Sequence, residues 1–344
     1  MTEMNTIDGS FGEGGGQVLR SSLALSIITG RPVRFVKIRA GRPRPGLARQ
    51  HLTAVRAAAA IAGARVSGDE IGSTALTFEP TGLFPGLHRF SVGTAGSTTL
   101  VLQTVLWPLL LADGDSEVSI EGGTHNDKAP PFDAMDRSLL PILRTMGVDM
   151  SLELDQPGFQ PAGGGRLVAS ICGRTKWRPL ELHHRGEIEQ RYALSLVANL
   201  PIDVARRELQ HVQTRLGWSP RELRSERVKA DGPGNIVLLE VRGAASAMVI
   251  SAVGDRGVRA EDVAERACKE LEAFLAADVP VDEHTADQLL IPMALAGGGS
   301  FTTSAPSLHA RTNAAIIERF LPVQVSVEPL DELRHRIDVL PNPT

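Results

Sequence analysis

A repeated order of predicted elements constrains the fold of this chain more than any other sequence feature. In three places a glycine-rich turn leads to an apolar helix, a short link and a strand, predicted at 17–28 and 33–38, at 97–111 and 117–121, and at 286–295 and 301–304. A loop and a second helix follow each strand, at 48–62, 132–146 and 314–319. The pattern predicts an α/β (α+β) protein of repeated units, whose sheets are covered by helix pairs.

The order of elements changes between about residues 183 and 280. Helices are predicted there at 186–200 and 260–276, and adjacent strands at 236–241 and 247–253. The sequence therefore predicts a smaller α/β domain at 183–280. It would be inserted into a repeated domain formed by residues 1–182 and 281–344.

Charge is distributed unevenly along the chain. Residues 14–68 contain no acidic side chain and ten basic ones, and Glu13 comes directly before them. The rest of the chain contains the other 26 Lys and Arg and all 40 Asp and Glu, a net charge of 26 − 40 = −14. A local positive field on an otherwise negative protein indicates polyanion binding at one place. A lone carboxylate beside glycines and arginines indicates a metal-assisted phosphate site.

Two segments of this basic region are candidates for phosphate binding. Glycines 12–16 precede a helix, where free N–H groups and the helix dipole favour an anion, and Gln17 and Arg20 share one helical face. Residues 39–51 carry four arginines and two prolines, which disfavours a helix, and the fork of arginine suits phosphate. The alternatives are a glycine turn with a surface salt bridge and a solvated charged loop.

Two further residues are candidate nucleophiles. Lys229 begins a Lys-x-Asp-Gly sequence similar to that of lysine-dependent nucleotidyltransferases, although the Gly-Pro-Gly that follows makes an exposed turn the better interpretation. His309 is predicted in a loop between a strand and a helix, where catalytic groups often lie. From spacing alone, a structural loop histidine is the alternative.

The sequence also indicates a cytoplasmic protein. Its first residues lack the basic and apolar regions of a signal peptide. The longest apolar run, 105–112, contains a proline and is too short to span a bilayer. We therefore expect no membrane association.

Longer motifs resemble the RNA 3'-terminal phosphate cyclases, in the same order, from near the start to about residue 330. They occupy residues 9–20, 38–42, 45–47, 49–54, 93–97, 102–106, 122–124, 129–131, 161–165, 231–235 and 286–289, together with His309, Thr312 and Asn313. The resemblance implies repeated units like the C-terminal domain of translation initiation factor three, carrying the catalysis, plus an inserted smaller α/β domain.

The resemblance also implies a reaction. A ligase of this family uses ATP to convert an RNA 3'-phosphate end into a 2',3'-cyclic phosphate. His309 would be the nucleophile, taking AMP and releasing pyrophosphate. AMP would then pass to the RNA to give RNA(3')pp(5')A, and ring closure by the 2'-hydroxyl would release AMP.

Residue roles follow from the same resemblance. Glu13 would hold a divalent metal, Mg or Mn, and the catalytic set would be His309, Glu13, Arg20 and Arg42. The triphosphate would contact Arg20, Arg42 and Gln103, and the nucleotide would be surrounded by Gln17, Asp287 and Gln288, with Pro130 under the adenine. Arg39 and Gln50 would lie nearer the RNA phosphate. Many family members carry tyrosine where this chain has His284, which can still stack but would make the adenine pocket weaker or pH-sensitive.

Two other functions remain possible from the sequence. The family has non-catalytic relatives that act in ribosome assembly and lack the histidine, whereas a nucleotidyltransferase would use Lys229. The sequence leaves open the natural RNA, the pathway, adenylation of DNA or 5'-phosphate ends, the preferred metal, the role of the inserted domain, and whether the protein is a monomer or a homodimer.

Overall fold

The structure is a computed structural model that describes residues 4–342, and the strands in that range form four sheets of four strands. The first sheet belongs to a unit with elements in the order β1 (Asn5–Asp8), α1 (Gly16–Thr29), β2 (Val33–Val36), α2 (Arg49–Ala62), β3 (Arg65–Ser67) and β4 (Leu76–Glu79). β1 pairs parallel with β2, and β4 pairs antiparallel with both β2 and β3. The strand order is therefore β1-β2-β4-β3.

The second unit repeats this topology. Its elements are β5 (Leu87–Ser91), α3 (Thr98–Leu111), β6 (Ser116–Gly122), α4 (Phe132–Ala134), a π-helical segment (Met135–Leu139), α5 (Leu140–Thr145), β7 (Met150–Gln156) and β8 (Gly165–Ile171). The order β5-β6-β8-β7 and the parallel pairing of its first two strands match the first sheet. The second helix predicted at 132–146 is thus interrupted by a π-helical segment and ends at Thr145.

The chain then forms one strand of the third sheet before a different module begins. After β9 (Leu180–Leu182) come β10 (Ile188–Ala198), α6 (Ile202–Leu216), a 3-10 turn (Pro220–Glu222), β11 (Leu223–Arg227), β12 (Gly234–Gly243), β13 (Ala247–Val253) and α7 (Ala260–Ala277). The sheet order is β11-β10-β12-β13, with β10 and β11 parallel. In sequence, the strands of this separate sheet come between two strands of the third sheet, as expected for an inserted domain. The exact boundaries at 183 and 280 stay a prediction.

The third repeat is completed after this module. Its elements are α8 (Glu283–Leu295), β14 (Gly299–Thr303), α9 (Leu308–Phe320), β15 (Val323–Pro329) and β16 (His335–Pro341). With β9 the sheet has the order β9-β14-β16-β15, and its first pair is again parallel. The prediction of a mixed α/β protein with repeated units is confirmed, whereas the likeness to the initiation factor domain stays a prediction.

Helix α1 lies at the centre of the repeated part. It packs against α2, α3 and α9, and all its residues from Gln17 to Ile27 are buried except Arg20. A helix enclosed on several sides needs small or apolar residues all round, and Ser22, Ala24 and Ser26 provide close approach. Because α1 contacts α9, the glycine-rich turn before α1 meets the start of α9.

The predicted helix at 186–200 is wrong, because this segment forms strand β10. The run from Ala193 to Ala198 is buried, because β11 and β12 cover the edges of β10 and helix α6 packs against it. A short apolar run without alternation fits a central strand as well as a buried helix, so periodicity does not separate the two. Helix α6, which follows, was not predicted.

Two helices begin earlier than predicted, and one of these differences moves a candidate residue. Helix α9 begins at Leu308, with the Ser307 side chain accepting a hydrogen bond from the backbone N–H of Ala310, so His309 lies in the first helical turn and not in a loop. Helix α8 begins at Glu283, capped by Asp282 in the same way through Thr285. Within residues 4–342, every helix is too short or too polar to cross a bilayer.

Candidate nucleotide site

A cavity of about 430 Å³ lies where all three repeats and the inserted module meet. Its lining includes eight of the predicted site residues: Gln17, Arg20, Gln103, Pro130, His284, Asp287, Gln288 and His309. They come from α1, α3, the loop before α4, α8 and α9. The inserted module adds residues of β13 and α7. The size is in the range of small-molecule sites.

The glycine-rich turn is attached directly to helix α9. Gly12 has a φ of +60°, and a Cβ there would lie 2.2 Å from the Thr312 hydroxyl oxygen, so glycine is required on both counts. The backbone N–H of Glu13 donates to that same hydroxyl oxygen at 3.1 Å. This contact brings a Glu13 carboxylate oxygen to 4.0 Å from Nε2 of His309.

A chain of two hydrogen bonds orients His309. Nε2 of Gln17 donates to the Asp287 carboxyl at 2.6 Å, and Oε1 of Gln17 lies 3.0 Å from Nδ1 of His309. Because the carboxylate accepts, the amide nitrogen of Gln17 faces Asp287 and its oxygen faces the imidazole. Nδ1 of His309 therefore carries the proton, and Nε2 keeps its lone pair on the side of Glu13.

The surroundings favour a neutral His309. Burial lowers its pKa, the charges of Arg20 and Arg42 lower it further, and Asp287 opposes them. Burial also raises the pKa of Asp287, against the hydrogen bond from Gln17 and the charge of His309. A neutral imidazole with a free Nε2 is a nucleophile at neutral pH.

Glu13 has the features of a single protein ligand for a cation. Its carboxylate contacts Arg42, which also donates to the Glu13 carbonyl at 3.4 Å, while the other carboxylate oxygen, Oε2, is buried without a hydrogen-bond partner. Within residues 4–342, no group of three or more His, Cys, Asp or Glu could hold a metal. A hard divalent ion at Glu13 would complete its coordination with ligand oxygens or water, which fits phosphate.

The positive charge at the site is concentrated around the first turn of α1. Burial lowers the pKa of Arg20 to about 10, a value that still leaves it charged at neutral pH. Burial and the charges of Arg20, Arg39 and Arg42 lower the pKa of His51 to about 3. Neutral His51 accepts a hydrogen bond from the backbone N–H of Ala48 at 3.3 Å. His51 was not among the predicted site residues, since its place beside Arg20 depends on the packing of α2 against α1.

The other predicted residues make hydrogen bonds within the protein. Gln103 donates to Gln288 at 2.5 Å across the cavity. Arg39 donates to two carbonyls of its own loop, and Gln50 accepts from the backbone N–H of Ser97 at 2.8 Å. Arg39, Arg42, Gln50 and Glu13 do not line the cavity itself, so the assignment of Arg39 and Gln50 to RNA stays a prediction.

The part of the cavity near the start of α8 has a different character. His284, Asp287 and Gln288 lie on one helical face, with His284 one turn before the other two. Nε2 of His284 is 3.4 Å from the Glu270 carboxylate, and a hydrogen bond to Glu270, with the Asp282 charge, raises the pKa of His284 to about 9. These carboxylates therefore favour the imidazolium form of His284 at neutral pH. Glu270, on α7, carried no sequence signal for this role.

Lys229 lies outside this site. It is exposed after β11 and is not part of the cavity lining. The side chain of Asn199 donates to the carbonyls of Ala230 and Gly232, and Asp231 accepts from Gln156 at 2.9 Å. These contacts favour the interpretation of the Lys-x-Asp-Gly sequence as a turn.

A half-exposed histidine, carboxylates and an arginine around a cavity of nucleotide size are typical of sites for phosphoryl or nucleotidyl transfer. The chain belongs to the RNA 3'-terminal phosphate cyclase family, whose model matches residues 11–327.

Curated proteins named RNA 3'-terminal phosphate cyclase resemble it along nearly their whole length. One from Koribacter versatilis is 50% identical over 94% of this chain and 92% of its own. One from Pseudomonas aeruginosa is 50% identical over 96% of each chain, and one from Ectopseudomonas mendocina is 46% identical over 97% of each.

Proposed function

We propose that this protein is an ATP-dependent RNA 3'-terminal phosphate cyclase. It converts an RNA 3'-phosphate into a 2',3'-cyclic phosphate through a covalent His309–AMP and an RNA(3')pp(5')A, and it releases pyrophosphate and AMP. The observation that carries the proposal is the hydrogen-bond chain from Asp287 through Gln17 to His309, which leaves Nε2 free beside Glu13. The names of the relatives support the same reaction.

In the first step, Nε2 of His309 attacks the α-phosphorus of ATP. An N–P bond forms, the bond to the bridging oxygen breaks, and pyrophosphate leaves with its electron pair. The imidazole becomes positively charged, and the Nδ1–H bond to Gln17, backed by Asp287, stabilises that charge.

Negative charge grows on the phosphate oxygens during this step. Arg20 and Arg42 supply fixed positive charge around His309, and both act on its pKa in this structure. A divalent ion at Glu13, Mg or Mn, would add charge next to the phosphates. Gln103 and Gln288 line the remaining polar wall of the cavity.

Two further transfers complete the reaction. An oxygen of the RNA 3'-phosphate attacks the phosphorus bound to His309, and the N–P bond breaks to restore the neutral imidazole. The adjacent 2'-hydroxyl then loses its proton and attacks the 3'-phosphorus, which expels AMP and closes the ring. Arg39 and Gln50 would hold the RNA phosphate. The repeated domain, 1–182 and 281–344, would carry this chemistry, while the inserted domain, 183–280, would supply one wall.

The experiment uses α-labelled ATP with Mg or Mn, followed by denaturation of the protein. Label is expected on the wild type and on His183→Ala, a control histidine outside the cavity, and not on His309→Ala. The bond should be acid-labile and stable to alkali, as an N–P bond is. Adding RNA with a 3'-phosphate should release the label as AMP and make the RNA end resistant to phosphatase.

Other outcomes favour the other functions. Label retained by His309→Ala and lost in Lys229→Ala would identify a lysine nucleotidyltransferase. Stoichiometric RNA binding by a folded protein without label on any variant would favour the non-catalytic binding protein.

A further inference from the structure

We propose that Glu270, on helix α7 of the inserted module, determines which base the site accepts, by accepting a hydrogen bond from the 6-amino group of adenine. This inference rests on the proposed function, since it concerns the nucleotide that charges His309. It gives the inserted module a direct part in substrate selection.

The direction of α8 separates the two ends of the cavity. Asp287, which holds Gln17 and through it His309, marks the phosphate end. His284 lies one helical turn before it, about 5 Å along the axis, so the nucleotide extends toward His284 and its partner Glu270. The base therefore lies at the end where the inserted module forms the wall.

The walls of that end suit a flat heterocycle. Pro130 and Pro131 line the cavity from the second repeat, and Val249 and Val253 of β13 line it from the inserted module. Apolar surfaces on the faces of a base leave its polar edge to be read by a small number of side chains. The polar groups that the inserted module and the start of α8 contribute to the lining are Ser251, Thr285, His284 and the carboxylates of Asp282 and Glu270.

Of the two carboxylates, Glu270 is the one available to a ligand. Asp282 is buried and caps α8 by accepting from the backbone N–H of Thr285 at 2.8 Å. Glu270 approaches His284 through one oxygen, Oε1, at 3.4 Å, and its side chain is 41% exposed. The imidazolium holds the carboxylate in the cavity and leaves the second oxygen as an acceptor.

An ionised carboxylate only accepts hydrogen bonds, so it distinguishes purines at position 6. The 6-amino group of adenine donates a hydrogen bond, whereas the 6-keto oxygen of hypoxanthine or guanine presents lone pairs to it. Hydrogen bonds to charged groups are stronger than those between neutral groups. A keto oxygen placed against the carboxylate leaves both acceptors without a donor. We expect ATP to be preferred over ITP by about 10- to 100-fold.

The test compares ATP and ITP as labelled donors to His309. Glu270→Gln keeps the size of the side chain but adds an amide donor, which can meet a keto oxygen. The ATP-to-ITP ratio of labelling rates should fall from about 10- to 100-fold to within about threefold. Glu283→Gln is the matched control, because Glu283 lies 3.8 Å from His284 but does not line the cavity, and it should keep the wild-type ratio.

Two results would overturn the inference. One is an unchanged ratio in Glu270→Gln, and the other is an equal loss of selectivity in Glu283→Gln, which would assign the effect to His284 charge alone. Failure of the proposed function is separate, since the wild type would then label with neither nucleotide. Calorimetric titration with ATP and ITP would still measure base selectivity in that case, with the same three proteins and the same expected ratios.

Discussion

Glu208, in the inserted module, is a buried carboxyl whose raised pKa should make the stability of the protein depend on pH. Its side chain on α6 is fully buried, accepts from the Ser195 hydroxyl at 2.5 Å, and contacts the amide of Asn235. Burial raises its pKa from 4.5 to about 7, and the two hydrogen bonds oppose that rise. The carboxyl is thus held in an environment that disfavours its charged form.

The sign and size of the effect on stability follow from linkage. Because the folded protein binds this proton more tightly than the unfolded chain, the contribution of Glu208 is most favourable below pH 4.5 and is lost as the pH rises to about 7. At 1.36 kcal/mol for each pH unit, the full interval corresponds to about 3 kcal/mol as an upper bound. Stability should therefore fall across that interval by an amount in the range of about 1–3 kcal/mol from this group.

Glu208→Gln removes the ionisation and keeps the shape. Its amide oxygen can accept from Asn235 while its nitrogen donates to the Ser195 hydroxyl, so both partners remain satisfied. Urea unfolding would be followed by fluorescence of Trp218, which is buried just after α6. Relative to wild type, the variant should gain about 1–3 kcal/mol of unfolding free energy on going from pH 5 to pH 8.

Glu226→Gln provides the control, since Glu226 is exposed on β11. Its difference from wild type should stay nearly constant between the two pH values. If Glu208→Gln behaves like this control, or loses stability relative to wild type as the pH rises, then the carboxyl does not titrate as its buried position requires and the reasoning is refuted.

Three further predictions concern the nucleotide site. Gln17→Leu should slow labelling of His309 by at least about 100-fold in a protein that still unfolds cooperatively, because the imidazole loses its orientation; rates near wild type would contradict this. The labelling rate should fall in acid with an apparent pKa below 6.5, since burial lowers the pKa of His309 and only the neutral ring attacks; a rate–pH profile with its midpoint at or above 6.5 would argue against it. Affinity for ATP should decrease as the pH rises through about 9, where His284 loses its proton, and His284→Phe should remove that decrease in a binding titration; an equal decrease in the variant would assign it to another group.

The elements that sequence patterns predicted well are those with local causes. Helices α1, α3 and α7 combine apolar periodicity with clear ends, such as Gly30 in the left-handed conformation after α1. The helix predicted at β10 is wrong because the burial of this strand depends on α6 and on distant residues such as Phe159, which a local window does not contain. The start of α9 has a local signal in Ser307, whose side chain caps the helix, and this signal places His309 in the helix and not in the predicted loop.

The site itself was predictable only in part. The motifs that resemble the cyclase family predicted the site residues, and eight of the predicted residues line one cavity in the structure. The contacts that orient these side chains, such as Gln17 with His309 or Thr312 with Glu13, join residues nearly 300 positions apart in sequence. His51 and Glu270 were missed for the same reason, since their roles arise from the packing of separate helices.

The pairing of α1 with α9 has a consequence for how the protein is made. Since Gln17 and His309 are 292 positions apart, a growing chain on the ribosome carries the glycine-rich turn long before its partner on α9 exists. Contacts of such long range form late and slowly compared with local ones. Under the proposed mechanism, nascent or truncated chains that end before α9 would lack the nucleophile, so charging with AMP would serve as a readout of completed folding.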